Sequence, residues 1–166
     1  MPPDGLEFHR PLPLGRVGPE GRTEVLEPTG AEREALARRL HIPGIGALRA
    51  TLRLAPEPDG AVRVEGRLEA EVTQECVVTL EPVAQQVAEQ FVLRLLPSGR
   101  EPADGPDDLD EVMAEGDVAD LGEVVAEQLA LALDPYPRAP DAELPAEARD
   151  EAAGSFAALA ALGRKA

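Results

Sequence analysis

From Leu48 onward, apolar and polar side chains alternate. Leu48, Ala50, Leu52 and Leu54 interleave with Arg49, Thr51 and Arg53. After APEPDG, Val62, Val64, Leu68, Ala70 and Val72 interleave with Arg63, Glu65, Arg67, Glu69 and Glu71. Successive side chains of a strand point to opposite faces, so a period of two predicts two strands, each with one face in a core and one in water. Asp59-Gly60 between them has the chemistry of a tight turn, which makes the pair an antiparallel hairpin with Arg and Glu available as cross-strand partners. Gly66 interrupts the apolar set and marks a bend or a close approach. A third run, Val87 to Leu96, sets Phe91, Leu93 and Leu95 against Gln90, Val92 and Arg94, and predicts a strand beside the second one.

Helical signals flank this block. Thr29 stands three residues before Glu32, the spacing of a reciprocal capping box, and AEREALARRL runs on to His41-Ile42-Pro43-Gly44, predicting a helix over about 30–41 with Ala35, Leu36 and Leu40 on its apolar face. Asp120 precedes Glu123 in the same manner. LGEVVAEQLALALD then places Leu121, Val124, Val125, Gln128, Leu129 and Ala132 together at helical spacing, predicting a second helix over about 121–133 that Asp134-Pro135-Tyr136-Pro137 stops. The opening GLEFHRPLPLGRV alternates loosely, with Pro11 and Pro13 suited to an edge strand, and Thr23–Pro28 has the length of a second short one. Residues 97–119 are rich in acids, Gly and Pro with almost nothing to bury, and read as a mobile acidic loop. The expected organisation is one α+β domain over 1–138, followed over 139–166 by an acidic linker and a short apolar tail that forms a short C-terminal helix. Its antiparallel sheet of about four to six strands is packed by two main helices. Spacing alone leaves open whether the sheet closes into a barrel.

Composition narrows the core and the setting. Hydrophobic residues make up 43% of the chain but aromatics only 2%, so Leu, Val and Ala must build the interior. A single cysteine excludes an internal disulfide framework and suits a reducing compartment. PPDGLEFHR has neither the basic start nor the apolar run of a secretory leader, and no stretch has the length of a membrane span, so a cytoplasmic protein is expected. The charge is uneven. Residues 1–100 carry 12 basic and 15 acidic side chains, a net −3, whereas residues 101–166 carry 4 and 17, a net −13. Such a field repels phosphate backbones and attracts basic partners, which disfavours charge-driven nucleic-acid binding.

The search for chemistry centres on Cys76, in TQECVVTLEPV. A nucleophilic thiol needs a base and nearby positive charge. The only histidines are His9 and His41, and Glu75 and Glu81 flank the cysteine and would raise its pKa, so a packed thiol at a turn is expected. Thr79 occupies the second position of a Cys-x-x-Cys pair, and a four-ligand zinc site is not available. Asp104 to Glu115 has the length and acidic ends of a calcium loop, but Pro106 and Leu109 stand where a ligand and the turning glycine belong. No phosphate-cradling glycine loop or GxSxG is present. No catalytic residue, cofactor or metal is expected. Arg49, Arg53, Arg63 and Arg67 share the wet face of the hairpin, as cross-strand partners of Glu65 and Glu69 or, alternatively, as an RNA-binding face. Phe156, Leu159 and Leu162 form a narrow apolar stripe that either docks back on the core or binds a partner.

Three segments in order carry a resemblance: the strand–TQECVVTLEPV–strand unit, DLGEVVAEQLALALDPYPR after an acidic loop, and a terminal SFAALAALGRK. Together they resemble the YceD family of bacterial and plastid proteins, named for accumulation of large-subunit ribosomal RNA, most strongly from about Leu48 to Arg138 and again over Phe156–Lys165. Relatives often read Cys-x-x-Cys-Leu-x-Pro at the turn, with another cysteine after the second helix. Here Cys76, Leu80 and Pro82 are kept, Thr79 replaces the second cysteine, and DPYPRAPDAEL has none. The family tail resembles Asn-Pro-Phe-Ala-x-Leu, of which this chain keeps Phe156, Ala157 and Leu159. The resemblance implies a role in large-subunit rRNA processing, stability or ribosome assembly, with no catalytic chemistry to place on residues. Combined with the charge, it implies an acidic adaptor for a basic ribosomal protein or rRNA-processing factor. The surfaces expected to carry that role are the 101–120 segment and the helix that Asp120, Glu123 and Glu127 begin.

Overall fold

The computed structural model of the protein describes residues 7–102, 105 and 109–143. In chain order the elements are β1 (Pro11–Pro13), β2 (Arg22–Leu26), α1 (Gly30–Arg39), β3 (Gly44–Pro56), β4 (Val62–Glu75), β5 (Pro82–Leu96), β6 (Asp110–Met113), β7 (Val118–Asp120) and α2 (Leu121–Ala132). A five-stranded sheet runs β2-β3-β4-β5-β6, and β1 pairs with β7 in a two-stranded ribbon. The fold is α+β as expected, and the sheet is open, with β2 and β6 at its edges.

The alternating runs become the three long strands. In β4, apolar residues from Val62 to Val72 are buried while Glu65, Arg67, Glu69 and Glu71 are exposed. Around Asp59-Gly60, Gly60 adopts φ 87 and the Ala61 N–H donates to Asp59 Oδ1 at 3.1 Å. β5 lies antiparallel beside β4, as its alternation predicts. The buried faces of β3, β4 and β5 join both helices in one core that includes Phe8, Leu36, Leu52, Leu54, Leu68, Leu93, Val125 and Leu129. α1 packs against β3, and α2 against β4 and β5.

Local signals set the helix ends. Thr29 and Glu32 form the full capping box, with the Thr29 N–H donating to Glu32 Oε2 at 2.7 Å and the Glu32 N–H donating to Thr29 Oγ1 at 3.3 Å. Asp120 Oδ1 caps α2 by accepting from the Gly122 and Glu123 N–H groups.

Two short strands lie inside the stretch expected to be an acidic loop, and this corrects the sequence-based expectation for 97–119. β6 pairs parallel with β5, Leu93 opposite Asp110 through Leu96 opposite Met113, and β7 pairs antiparallel with β1. Composition marks DEVM as unburied, but Arg94 of β5 binds the Glu111 carboxylate directly and Ser98 ties the connection to Asp117 and Ala114. Tertiary pairing overrides the local signal here. The terminal stripe Phe156–Leu162 lies outside the described residues. Among the described residues, no helix is long and apolar enough to cross a membrane.

Candidate functional site

The turn after β4 places Cys76 fully inside the protein. The Leu80 N–H donates to the Cys76 carbonyl at 2.9 Å and the Cys76 N–H to the Glu81 carbonyl at 2.8 Å, with Leu80 at φ 61. Leu80 therefore shapes the turn and Pro82 opens β5 beyond it, opposite Glu75, while the Leu80 side chain is 69% exposed. The chain leaving α2 folds back over this turn. The Val77 N–H donates to the Pro137 carbonyl at 2.9 Å, the Gln74 Nε2 to the Asp134 carbonyl at 2.9 Å, and the Ala139 N–H to Cys76 Sγ at 3.3 Å. A second donor, the Thr79 N–H, reaches Sγ at 3.4 Å.

The thiol is a packed hydrogen-bond acceptor at a turn, but its acidity departs from expectation. The Thr79 side chain, then the Ala139 N–H, favour the thiolate and lower the pKa from 9.0 to about 7, against the opposing effect of burial. Glu75 and Glu81, expected to raise it, have exposed side chains and are not among the causes. Positions 76, 79 and 139 thus converge on one point at which only Cys76 carries a thiol. Sequence spacing gives no sign that Ala139 joins them. Among the described residues, no group of three His, Cys, Asp or Glu side chains is placed to hold a metal ion.

The sheet face opposite the core holds Arg49, Arg53, Arg63 and Arg67. Backbone register sets Arg49 opposite Glu69 and Arg53 opposite Glu65. The shortest ion pairs run differently: Arg63 to Glu65 at 3.5 Å and Arg67 to Glu69 at 2.7 Å along β4, and Arg49 to Glu27 at 2.6 Å. With Glu71 also exposed on β4, carboxylates match the guanidinium groups in number. Exposed pairs of this kind contribute little stability, about 0–1 kcal/mol each, but they leave no net positive field.

Asp120, Glu123 and Glu127 lie together at the start of α2. Asp120 is engaged on every side: besides capping the helix, Oδ1 accepts from the Arg10 N–H at 2.9 Å and Oδ2 contacts His9 Nδ1. Glu123 binds the Arg39 guanidinium, which also reaches Glu7 at 3.2 Å. These carboxylates hold Arg39 well above its ordinary pKa, with Glu123 the main cause. Glu127 is exposed and forms no ion pair among the described residues. The partners of Asp120 and Glu123, His9 and Arg39, lie more than 80 positions away in the chain and carry no local signal in the sequence.

Beside these residues, a groove of about 420 Å³ opens between β6, β7, α2 and the start of β1. Val112, Met113, Val118, Ala119 and Val124 supply its apolar lining, and Glu115, Asp120, Glu123 and Glu127 its acidic lining; His9, held by Asp120, also borders it, and no Lys or Arg does. Met113 is 59% and Val118 37% exposed. Met113 does not stand out in the sequence, and Glu115 does so only as the acidic end of the failed calcium-loop pattern, because both fall in the stretch that reads as loop.

No curated protein and no solved structure matches the chain. The family model described as "Large ribosomal RNA subunit accumulation protein YceD" matches residues 64–162, a range that begins in β4 and takes in the Cys76 turn, the groove strands and α2. With more than half of its length matched, the chain belongs to the YceD family.

Proposed function

We propose that this protein serves large-subunit ribosomal RNA accumulation as a non-catalytic, cytoplasmic adaptor or chaperone-like binder. Its partner is a basic ribosomal protein or a basic rRNA-processing factor. The observation that carries this reading is the distribution of charge. The chain has a net charge of −16, concentrated after residue 100, and the groove beside α2 is lined by carboxylates without a lysine or arginine. Such a surface draws in cationic polypeptide and repels RNA phosphates. The arginines on the sheet face carry matching glutamates, which weakens the case for that face as an RNA platform.

The test is a titration of the purified full chain with individual basic ribosomal proteins and, separately, with naked large-subunit rRNA. A complex with a basic protein that weakens steeply as salt rises, and that is unchanged when Arg49, Arg53, Arg63 and Arg67 are all replaced by Ala, is the expected result. Tight binding to naked rRNA that collapses in the same fourfold variant, with no basic protein bound, overturns the proposal in favour of direct RNA recognition.

A further inference from the structure

We infer that the chain forms a two-fold symmetric dimer through the outer edge of β5, with residues Pro82–Val92 of two copies pairing antiparallel about Val87. This self-association does not rest on the adaptor role proposed above.

β5 pairs with β4 from Pro82 to Leu95, but with β6 only from Leu93 to Leu96. Over Pro82–Val92 the edge turned away from β4 therefore has no neighbouring strand among the described residues. Beyond the β4 ladder, no loop or side chain among them hydrogen-bonds to this stretch either. In an antiparallel strand every second residue turns both its N–H and its C=O outward, so about five residues here present a row of unpaired backbone groups.

Sheet edges are ordinarily blunted by brevity, charge or proline. β2, at the opposite end of the sheet, follows that rule: it has five residues, two of which, Arg22 and Glu24, are charged and paired with each other. The free stretch of β5 is eleven residues long and carries Glu89 alone, in a chain of which 29% is charged. On its face away from the core, Ala84, Gln86, Ala88 and Gln90 are exposed and uncharged, and do not repel an incoming strand.

The ends of this stretch set the register. β6 closes the edge at Leu93, and Pro82, which has no N–H to donate, ends it on the other side. The midpoint of Pro82–Val92 is Val87, so a two-fold axis at Val87 is the one that uses the whole edge. On the core side, where Val87 lies opposite Ala70 and Phe91 opposite Gly66, that axis sets Val87 against Val87 of the second copy, Gln85 against Glu89, and Val83 against Phe91. Val83 and Phe91 are half-buried in the single chain and cover each other in the pair. On the other face Gln86 meets Ala88, and Ala84 meets Gln90. No like charges stand opposite, whereas an axis at Glu89 would oppose that carboxylate to itself. A basic extended peptide finds little here to select it, because Glu89 is the only carboxylate in the stretch. The net charge of −16 acts against two copies meeting, but it is concentrated after residue 100 and is screened by salt.

Sedimentation velocity of the full chain over a concentration series is expected to show a species of twice the 17.6 kDa chain mass. This dimer should tighten as salt rises from about 0.05 to about 0.5 M, the reverse of a complex with a basic protein. Gln86→Lys/Ala88→Lys alters two exposed side chains that the register sets against each other, and should weaken the dimer at least about tenfold without moving the thermal midpoint of the dilute monomer. Gln86→Lys/Ala88→Glu should restore it, since only an axis at Val87 brings each introduced lysine opposite a carboxylate; axes at Gln86 or Ala88 oppose like charges. Hydrogen exchange of the unaltered chain locates the site without any variant, and alternate amides within 83–92 should slow as concentration rises. A chain that stays monomeric up to about 1 mM overturns the proposal, and so does a dimer that survives Gln86→Lys/Ala88→Lys. If every amide of 83–92 is protected at the lowest concentration, the same chain covers its own edge. If the remaining amides slow only when a basic ribosomal protein is added, the edge belongs to that partner. Either result overturns a second copy as the occupant.

Discussion

The tip of the Phe91 ring fills the space above Gly66, its directly opposed partner across β4 and β5: a Cβ added at Gly66 would stand 2.2 Å from Phe91 Cζ and 2.5 Å from both Cε atoms. Gly66 is a core-facing position in an otherwise branched or leucine-rich strand, so its missing side chain is what lets the only aromatic residue of β5 lie over the sheet. Gly66→Ala is expected to cost about 1–3 kcal/mol, as overpacked cores do. In a Phe91→Ala background the same change should be neutral or slightly stabilising, because Ala suits a strand better than Gly. Urea unfolding of the four chains in the cycle measures the coupling.

A harder collision awaits at Gly122, where an added Cβ would lie 1.8 Å from the Phe8 carbonyl oxygen and 2.7 Å from its carbon. Both atoms are backbone, and the neighbouring Leu121 N–H donates to the Arg10 carbonyl at 2.9 Å, so α2 and the N-terminal segment cannot separate without losing that bond. Gly122→Ala should therefore cost more than Gly66→Ala, at or above about 3 kcal/mol. The thermal unfolding midpoints of the two variants give the order.

Much of this architecture is legible because it is written locally. The period-two runs of β3 and β4, the Asp59-Gly60 turn and the Thr29–Glu32 box each specify their element within a few residues. Asp120 likewise announces α2. The β1–β7 ribbon and the β5–β6 pair are different, since neither arises from a pattern within its own strand. Leu12 meets Ala119 across more than a hundred positions, and β6 is only four residues, two of them acidic, held by a guanidinium on the neighbouring strand. The candidate sites divide the same way. Burial of Cys76 at a turn follows from its flanks, whereas the arrival of Ala139 at its sulfur, and the groove that forms because two strands part, depend on tertiary packing.

Arg94 is the guanidinium that holds β6. It binds Glu57 at 2.7 Å and Asp59 at 2.6 Å on the β3–β4 connection, and directly contacts Glu111, its register partner on β6, whose side chain is only 5% exposed. Arg94→Met keeps the aliphatic stem and removes the guanidinium that binds the Glu111 carboxylate. A loss of about 2–3 kcal/mol is expected, below the ~3–5 kcal/mol of fully buried pairs because Arg94 retains some solvent contact. Adding Glu111→Gln should recover most of the loss. Hydrogen exchange at the β6 amides should accelerate in the single variant and slow again in the double.

Acid should loosen the link between β1 and α1. Arg10 donates to Glu32 Oε1 at 2.8 Å and Oε2 at 3.0 Å, and the Thr29 N–H donates to Oε2 as well. Arg10, followed by the Thr29 N–H, holds the Glu32 carboxyl at about 2, down from 4.5. Because the folded state lowers this pKa, the stabilisation is complete above about 4.5 and disappears as pH falls towards 2. Glu32→Gln should lie below the unaltered chain at neutral pH by a constant margin. The two stability curves should converge between pH 4.5 and 2, and a margin unchanged down to pH 2 would remove Glu32 as the titrating group.

The sulfur of Cys76 joins the turn after β4 to the exit of α2, since it accepts both the Thr79 and the Ala139 N–H groups. Cys76→Ala leaves these two part-buried donors without their acceptor, and because Thr79 is exposed and Ala139 half-buried the cost should fall at the low end of the ~1–3 kcal/mol of an unmet buried donor, about 1 kcal/mol. Cys76→Ser restores an acceptor, though a smaller one on a shorter bond, and should recover part of the loss. The loss should also be local as well as global. In Cys76→Ala the Ala139 and Val77 amides should exchange faster than those of β3, because the segment from Asp134 to Ala139 is otherwise tied down by the Val77–Pro137 and Gln74–Asp134 bonds. Uniform acceleration across the chain would instead mean that the thiol acts as core filling alone.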